Sequence, residues 1–110
     1  MNWYQELYLS KNLTGKEKSV KWMVEHKVEV RPLFLIVLSN RSDAQLEIVS
    51  LATLKFPFFR KEKYNIIGVA KGYYHARTLV ETIAKDVYEA TGQCDFKAYF
   101  ATYFEEDKGE

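Results

Sequence analysis

The uninterrupted apolar run Leu33–Leu38 constrains the fold of this chain more than any other feature of its sequence. Side chains alternate between the two faces of a strand, so a strand without polar residues must be covered on both faces. The segment Tyr64–Ala70 is also apolar on both faces and predicts a second strand of this kind. Six apolar residues are too few to span a bilayer. The two segments therefore predict a small sheet with helices packed on both faces.

A third, more exposed strand is predicted over Leu46–Ser50, where apolar residues alternate with a glutamate. The spacing of Ser42 and Gln45 also fits a capping box, so a helix that begins at Ser42 is the alternative for this region. The segment Leu51–Lys55 is expected to form a helical turn.

Two helices are predicted in the C-terminal half of the chain. Apolar residues recur every three or four positions over 73–91, and Gly92 is a natural residue to end that helix. A shorter helix is predicted over 96–104, with Asp95 as its N-cap. A strand would divide the aromatic rings of this segment between two faces, whereas a helix places all of them on one stripe.

The N-terminal third is predicted to hold two further helices. A short amphipathic helix is indicated by the spacing of Trp3, Leu7 and Tyr8. Thr14 and Glu17 form a capping box for a second helix, which ends at Arg31 because the residue before a proline avoids the helical region. The predicted fold is α+β: a three-stranded sheet with helices packed on it, in a single domain over 1–110.

Composition excludes several broad classes of function. The chain has 110 residues, of which 47% are hydrophobic and 28% are charged, as is typical of a globular domain. Its net charge of +1 argues against a general attraction to nucleic acid or to an anionic membrane. Cys94 is the sole cysteine, so no internal disulfide forms. The N-terminal residues lack the pattern of a signal peptide, and a cytoplasmic location is expected.

No local pattern indicates catalysis. The residues four positions after His26 and His75 are Val30 and Leu79, and His75 has no metal-binding residue three positions on either. Glu29 lies three positions after His26, but two ligands are fewer than the three or four that a zinc site needs. Cys94 stands next to Asp95, whose charge disfavours a reactive thiolate. An enzyme would need distant carboxylates, such as Glu47 and Asp95, to meet in one pocket. The sequence therefore predicts a protein without a catalytic, metal or cofactor site.

Two segments are candidates for binding an anionic ligand or nucleic acid. The turn Gly68–Gly72 joins a strand to a helix, where backbone amides and the charge of Lys71 can receive an anion. Tight packing is the simpler role of its two glycines. The segment 55–63 alternates aromatic rings with cations, a mixture found in sites for single-stranded nucleic acid. The alternative interpretation is a solvated loop whose rings belong to the core. The predicted ligand-binding residues are Gly68, Lys71, Gly72, Arg60 and Lys61.

The aromatic helix is a candidate interface, although a stripe of this kind is more often part of the core. Its members are Phe96, Tyr99, Phe100, Tyr103 and Phe104. The edge strands of a small sheet also need a cover. These features favour a non-catalytic protein-interaction or assembly protein, most simply a homo-oligomer, that does not act at a membrane.

Most of the chain resembles a family of short bacterial proteins of unknown function. The matching stretches are Pro32–Asn40, Leu46–Ser50, Phe56–Phe59, Ile66–Ala70 and a C-terminal pattern of Tyr88, Thr91, Gly92, Asp95 and Tyr99. The resemblance implies one intact domain and carries no assigned activity.

Overall fold

The computed structural model describes residues 2–28, 31–56 and 64–105. Its strands are β1 (Asn2–Leu9), β2 (Leu33–Leu38), β3 (Leu46–Ser50) and β4 (Asn65–Lys71). Its helices are α1 (Glu17–His26), α2 (Tyr73–Thr91) and α3 (Phe96–Glu105), with 3-10 turns at Lys11–Leu13 and Leu51–Lys55. The α+β class is confirmed, and the sheet has four strands rather than the predicted three.

The four strands form one mixed sheet in the order β1-β4-β2-β3. Strand β2 is antiparallel to both of its neighbours, and β1 runs parallel to β4. The two strands predicted to be covered on both faces, β2 and β4, therefore lie in the middle. Among their side chains, Leu35, Ile36, Ile66 and Ile67 are fully inaccessible to solvent.

Helices cover both faces of the sheet, as the two apolar strands predict. On one face, Val20 and Val24 of α1 pack with Leu35 of β2 and with the two 3-10 turns. On the other face, α2 and α3 pack against Ile36 and Ile67. No helix in the described part of the chain is long and apolar enough to cross a membrane.

The predicted N-terminal helix is wrong, because residues 2–9 form strand β1. Leu7 packs in the core on the α1 side of the sheet, whereas Tyr4 packs in the core on the α2 side. This alternation between two faces is the pattern of a strand. Strand β1 pairs with the outer side of β4, which a helix could not do, and so it supplies the fourth strand.

The bounds of α1 also differ from the prediction. The Thr14 hydroxyl donates to the carbonyl of Lys11 instead of capping a helix, and α1 begins at Glu17. The helix ends at His26, where Lys27 takes the left-handed conformation with a φ of 56°, rather than at Arg31. A left-handed residue ends a helix without a proline.

The other predicted elements are confirmed. Residues 46–50 form a strand and not a helix, and 51–55 form a 3-10 turn. Helix α2 covers 73–91 and ends at Gly92, which has a φ of 76°. Asp95 caps α3, since its carboxylate accepts a hydrogen bond of 3.1 Å from the amide of Ala98.

Gly68 lets β1 and α2 approach the middle of β4. Five positions separate Trp3 from Tyr8 on β1, but only two separate their partners Ile66 and Gly68 on β4. A Cβ atom at Gly68 would lie 3.1 Å from Leu79 Cδ2 on α2, and also 3.1 Å from both Cβ and O of Tyr8. A side chain at this position would therefore need Leu79 and the backbone of Tyr8 to move by a few tenths of an ångström, which favours glycine here.

We expect Gly68→Ala to lower the free energy of unfolding by about 1–3 kcal/mol, because backbone and core atoms must move to admit the methyl group. Gly15→Ala is the matched control, since its Cβ would meet nothing within 4 Å and its φ of +80° costs only about 1 kcal/mol. Urea denaturation measures both variants. A Gly68→Ala variant more stable than Gly15→Ala would contradict the close approach of β1 to β4.

Candidate functional site

The backbone of the predicted anion-binding turn is used within the fold. The amide of Lys71 donates to the Ser10 hydroxyl at 3.1 Å, and the amide of Gly72 donates to the Pro32 carbonyl at 2.9 Å. The side chain of Asn12 donates to the Lys71 carbonyl. These amides tie the end of β4 to its two neighbours, so they do not face a ligand. In this turn, the ammonium group of the Lys71 side chain can still bind an anion.

Lys71 reaches a cleft of about 220 Å³ that two other cations also line. They are Lys16, at the start of α1, and Arg31, just before β2. Sequence reasoning identified Lys71 and missed these two. No local pattern links them, because the three residues come from separate segments that only the sheet brings together.

Most of the predicted basic and aromatic segment lies outside the described residues, including Arg60 and Lys61. Lys55 and Phe56 are described. The ring of Phe56 is exposed at the end of the second 3-10 turn. Binding of nucleic acid through this segment stays a prediction.

The aromatic stripe of α3 faces the sheet. Phe100 and Phe104 are buried in the core, Phe96 and Tyr99 are half-buried, and Tyr103 is 44% exposed. The ring of Tyr4 on β1 makes edge-to-face contacts with Phe100 and with Tyr103, each at 5.1 Å between ring centres. A partner at this helix would therefore reach Tyr103 and its half-buried neighbours, and not the two buried rings.

Two tyrosines of β1 lie under these helices. Burial is the main cause that raises the pKa of Tyr4 to about 12, with nearby Tyr103 and Glu6 adding to it. Burial also raises the pKa of Tyr8, whose hydroxyl donates to the Asp86 carboxylate of α2 at 2.7 Å. Both side chains act as neutral phenols that hold β1 against the helices.

The residues considered for catalysis have structural partners. The Glu47 carboxylate accepts a 2.5 Å hydrogen bond from the Ser39 hydroxyl, and Asp95 caps α3. The ring of His26 stacks on Trp22, His75 contacts the ring of Tyr74, and Cys94 is exposed. Across residues 2–28, 31–56 and 64–105, no three His, Cys, Asp or Glu side chains are grouped as metal ligands.

Strand β3 is an edge strand whose outer side meets no further strand among the described residues. The amide of Ser39 donates to the Gln45 carbonyl, and the register pairs Leu38 with Leu46. In an antiparallel pair the hydrogen-bonded positions alternate, so the backbone groups of Leu46 and Ile48 point to the open side. All five residues of β3 are half-buried. The strand therefore offers a hydrogen-bonding edge with apolar side chains beside it.

We expect the free energy of unfolding to fall as the pH rises from 10 to 12, and Tyr4→Phe to reduce that fall. Tyr4 ionises near pH 10 in the unfolded chain but only near pH 12 in the folded chain. The contribution of the buried neutral phenol to the free energy of unfolding is therefore complete below pH 10 and is lost as the pH rises from 10 to 12. Urea denaturation across this range gives the slope, with Tyr88→Phe at an exposed ring as the control. The same slope in the wild type and in Tyr4→Phe would contradict the burial of this phenol.

Comparisons with protein-family models, with curated proteins and with solved structures found no match for this chain. The resemblance to short bacterial proteins of unknown function stays a prediction. Hypotheses about function therefore rest on the contacts, charges and open surfaces of the chain itself.

Proposed function

We propose that this chain is a non-catalytic assembly protein, which forms a homodimer by pairing β3 with β3 of a second copy. The edge of β3, which meets no further strand among residues 2–28, 31–56 and 64–105, carries the proposal. An unpaired edge presents a row of amide and carbonyl groups that another strand can satisfy. Identical edges pair around a two-fold axis, which is the commonest symmetry of small oligomers.

The composition of β3 favours pairing. Edge strands that stay single are often blocked by a lysine, a proline or a bulge, and also by short length or other charges, of which β3 has its five-residue length and Glu47. Strand β3 reads Leu-Glu-Ile-Val-Ser and contains no lysine, proline or bulge, and its register with β2 is continuous. Isoleucine and valine are also favourable residues in strands.

The antiparallel register centred on Ile48 joins two β3 strands over their full length. When Ile48 lies on the two-fold axis, all five residues overlap, and Leu46 stands opposite Ser50. The one charged residue of the strand, Glu47, then stands opposite Val49. If Glu47 itself lay on the axis, two carboxylates would face each other directly, which is destabilising. The register centred on Ile48 also matches the outward backbone groups of Leu46 and Ile48.

Pairing would bury apolar side chains on both faces of the sheet. Leu46 and Ile48 are half-buried next to the core beneath α2 and α3, and Val49 is half-buried next to the core beneath α1. Two four-stranded sheets would become one sheet of eight strands. The hydrophobic effect would then add to the hydrogen bonds of the joined edges.

Helix α3 supports this surface from the side. The amide of Lys97 donates to the Gln45 side chain at 3.0 Å, and the Lys97 ammonium donates to the Arg41 carbonyl. These bonds fix the loop between β2 and β3, and with it the start of the edge strand. The proposed interface is therefore β3, while the aromatic rings of α3 mostly serve the core.

We expect light scattering at a few hundred micromolar to give twice the chain mass of 12.9 kDa. Ile48→Lys should give the monomer mass, because two ammonium groups would meet at the two-fold axis. Tyr88→Lys, at an exposed position on α2, is the matched control and should remain a dimer. Circular dichroism establishes that each variant is folded. A wild-type chain that stays monomeric would overturn the proposal.

Cross-linking tests the register. In a Cys94→Ser background, Ile48→Cys should form a disulfide-linked dimer on mild oxidation, since Cα atoms of a directly opposed hydrogen-bonded pair lie about 5.5 Å apart. Val49→Cys is the control, because its two Cα atoms would be roughly 8 Å apart, beyond disulfide reach. Equal cross-linking of both variants would contradict the register centred on Ile48.

A further inference from the structure

The cleft that contains Lys71 lies between the end of β4, the start of β2 and helix α1. It is on the opposite side of β2 from strand β3 in the sheet order. Among the described residues, its charged lining consists of Lys16, Arg31 and Lys71 and includes no carboxylate. Three cationic residues that line one small space make it attractive to an anion, because opposite charges attract.

Two carboxylates of α1 are bound to other groups. Glu17 of α1 pairs with Lys21 at 3.2 Å, and Glu25 accepts a hydrogen bond from the Trp3 indole at 3.3 Å. Within the described part of the chain, no salt bridge includes any of the three cleft cations. Their charge is therefore available to a ligand.

Backbone contacts hold the cleft in shape. Leu33 and Lys71 are directly paired in the register of β2 with β4, and the amide of Gly72 donates to the Pro32 carbonyl. The amide of Lys16 donates to the Leu13 carbonyl at 3.0 Å. The Cα positions of the cations are thus set by the sheet and by the turn before α1. A preformed site loses less conformational entropy when it binds.

The floor of the cleft is apolar. Leu13 and Leu33 are buried at 3% and 2% exposure, and Met23 is half-buried beside them. A site with cations at its rim and hydrocarbon at its base suits a ligand that has one charged end and one apolar end. The volume of about 220 Å³ is below the range for drug-sized ligands, so the ligand must be small.

We propose that this cleft binds a small phosphate monoester whose phosphoryl group contacts Lys16, Arg31 and Lys71, and whose apolar group lies on Leu13, Met23 and Leu33. A phosphate monoester has a charge of about −1.5 to −2 at neutral pH, which suits three cations better than a carboxylate does. The planar guanidinium of Arg31 donates two parallel hydrogen bonds to phosphate oxygens, and the lysines add charge.

A nucleic-acid strand is a poorer match for this cleft. Binding along a phosphate backbone needs cations in an extended row, with a clear positive charge of the domain. Here the three cations line one small cleft, and the net charge of the chain is +1.

Phenyl phosphate and inorganic phosphate are the probes that separate the two parts of the proposal. Titration at low salt, followed by amide chemical shifts in NMR, should give a Kd for phenyl phosphate about tenfold below that for inorganic phosphate, because the ring is removed from water. Met23→Gln should reduce this preference while inorganic phosphate still binds. Shifts should be largest at residues that line the cleft.

Variants of the cations test the phosphoryl contacts. Lys71→Ala and Arg31→Ala should each weaken binding of phenyl phosphate about fivefold or more, and Arg31→Lys should fall between Arg31→Ala and the wild type. Lys85→Ala, at an exposed position on α2, is the matched control and should bind like the wild type. Because β3 lies apart from the cleft, the Ile48→Lys variant should also bind normally, which separates this result from the outcome for the dimer.

Three results would overturn the proposal. The first is that amide chemical shifts do not change at about 10 mM phenyl phosphate, since weaker binding than this would be too weak to matter. The second is that Lys71→Ala leaves the Kd for phenyl phosphate unchanged. The third is that oligothymidylate binds more tightly than phenyl phosphate through the same three cations. The last result would assign the cleft to nucleic acid.

Discussion

The antiparallel pairing of β2 with β4 is the contact on which the rest of the structure depends. Both strands are apolar on each face, so neither can be stable until helices cover the two sides of the pair. Helix α1 and the 3-10 turns cover one side, and α2 with α3 cover the other. The outer strands β1 and β3 attach to this pair, and both proposed binding surfaces lie on its borders. The β3 edge flanks β2, and the cationic cleft opens where β2 begins and β4 ends.

Elements with a strong local signal could be predicted from the sequence. Helix α2 has an apolar stripe over five turns and a glycine at its end, and α3 has a capping aspartate. Strand β1 could not be predicted, since Trp3, Leu7 and Tyr8 fit either a helix or a strand. Its conformation is decided by β4, whose Asn65 pairs with Asn2 across most of the chain. Local spacing cannot report a partner that far away.

The candidate surfaces show the same limit. Strand β3 could be predicted from its alternation, but its position at an edge follows from the strand order. Lys71 was identified from its place between a strand and a helix, whereas Arg31 joins it through the register of β2 with β4 and Lys16 through the turn before α1. The stripe of α3 was predicted as five rings on one face. Which of them are accessible depends on Tyr4, a residue of the strand that sequence reasoning missed.

The parallel pairing of β1 with β4 has a consequence for the order in which the chain becomes structured. The ribosome makes β1 before β4, the strand with which β1 pairs, and β4 begins at Asn65. Until then Tyr4 and Leu7, both buried in the finished fold, have no sheet to pack on. Contacts between distant parts of a chain form slowly, and apolar segments that wait for them are exposed to aggregation. The nascent chain therefore carries β1 as an unpaired apolar segment until β4 has been made, at the stage when a chaperone would find it most accessible.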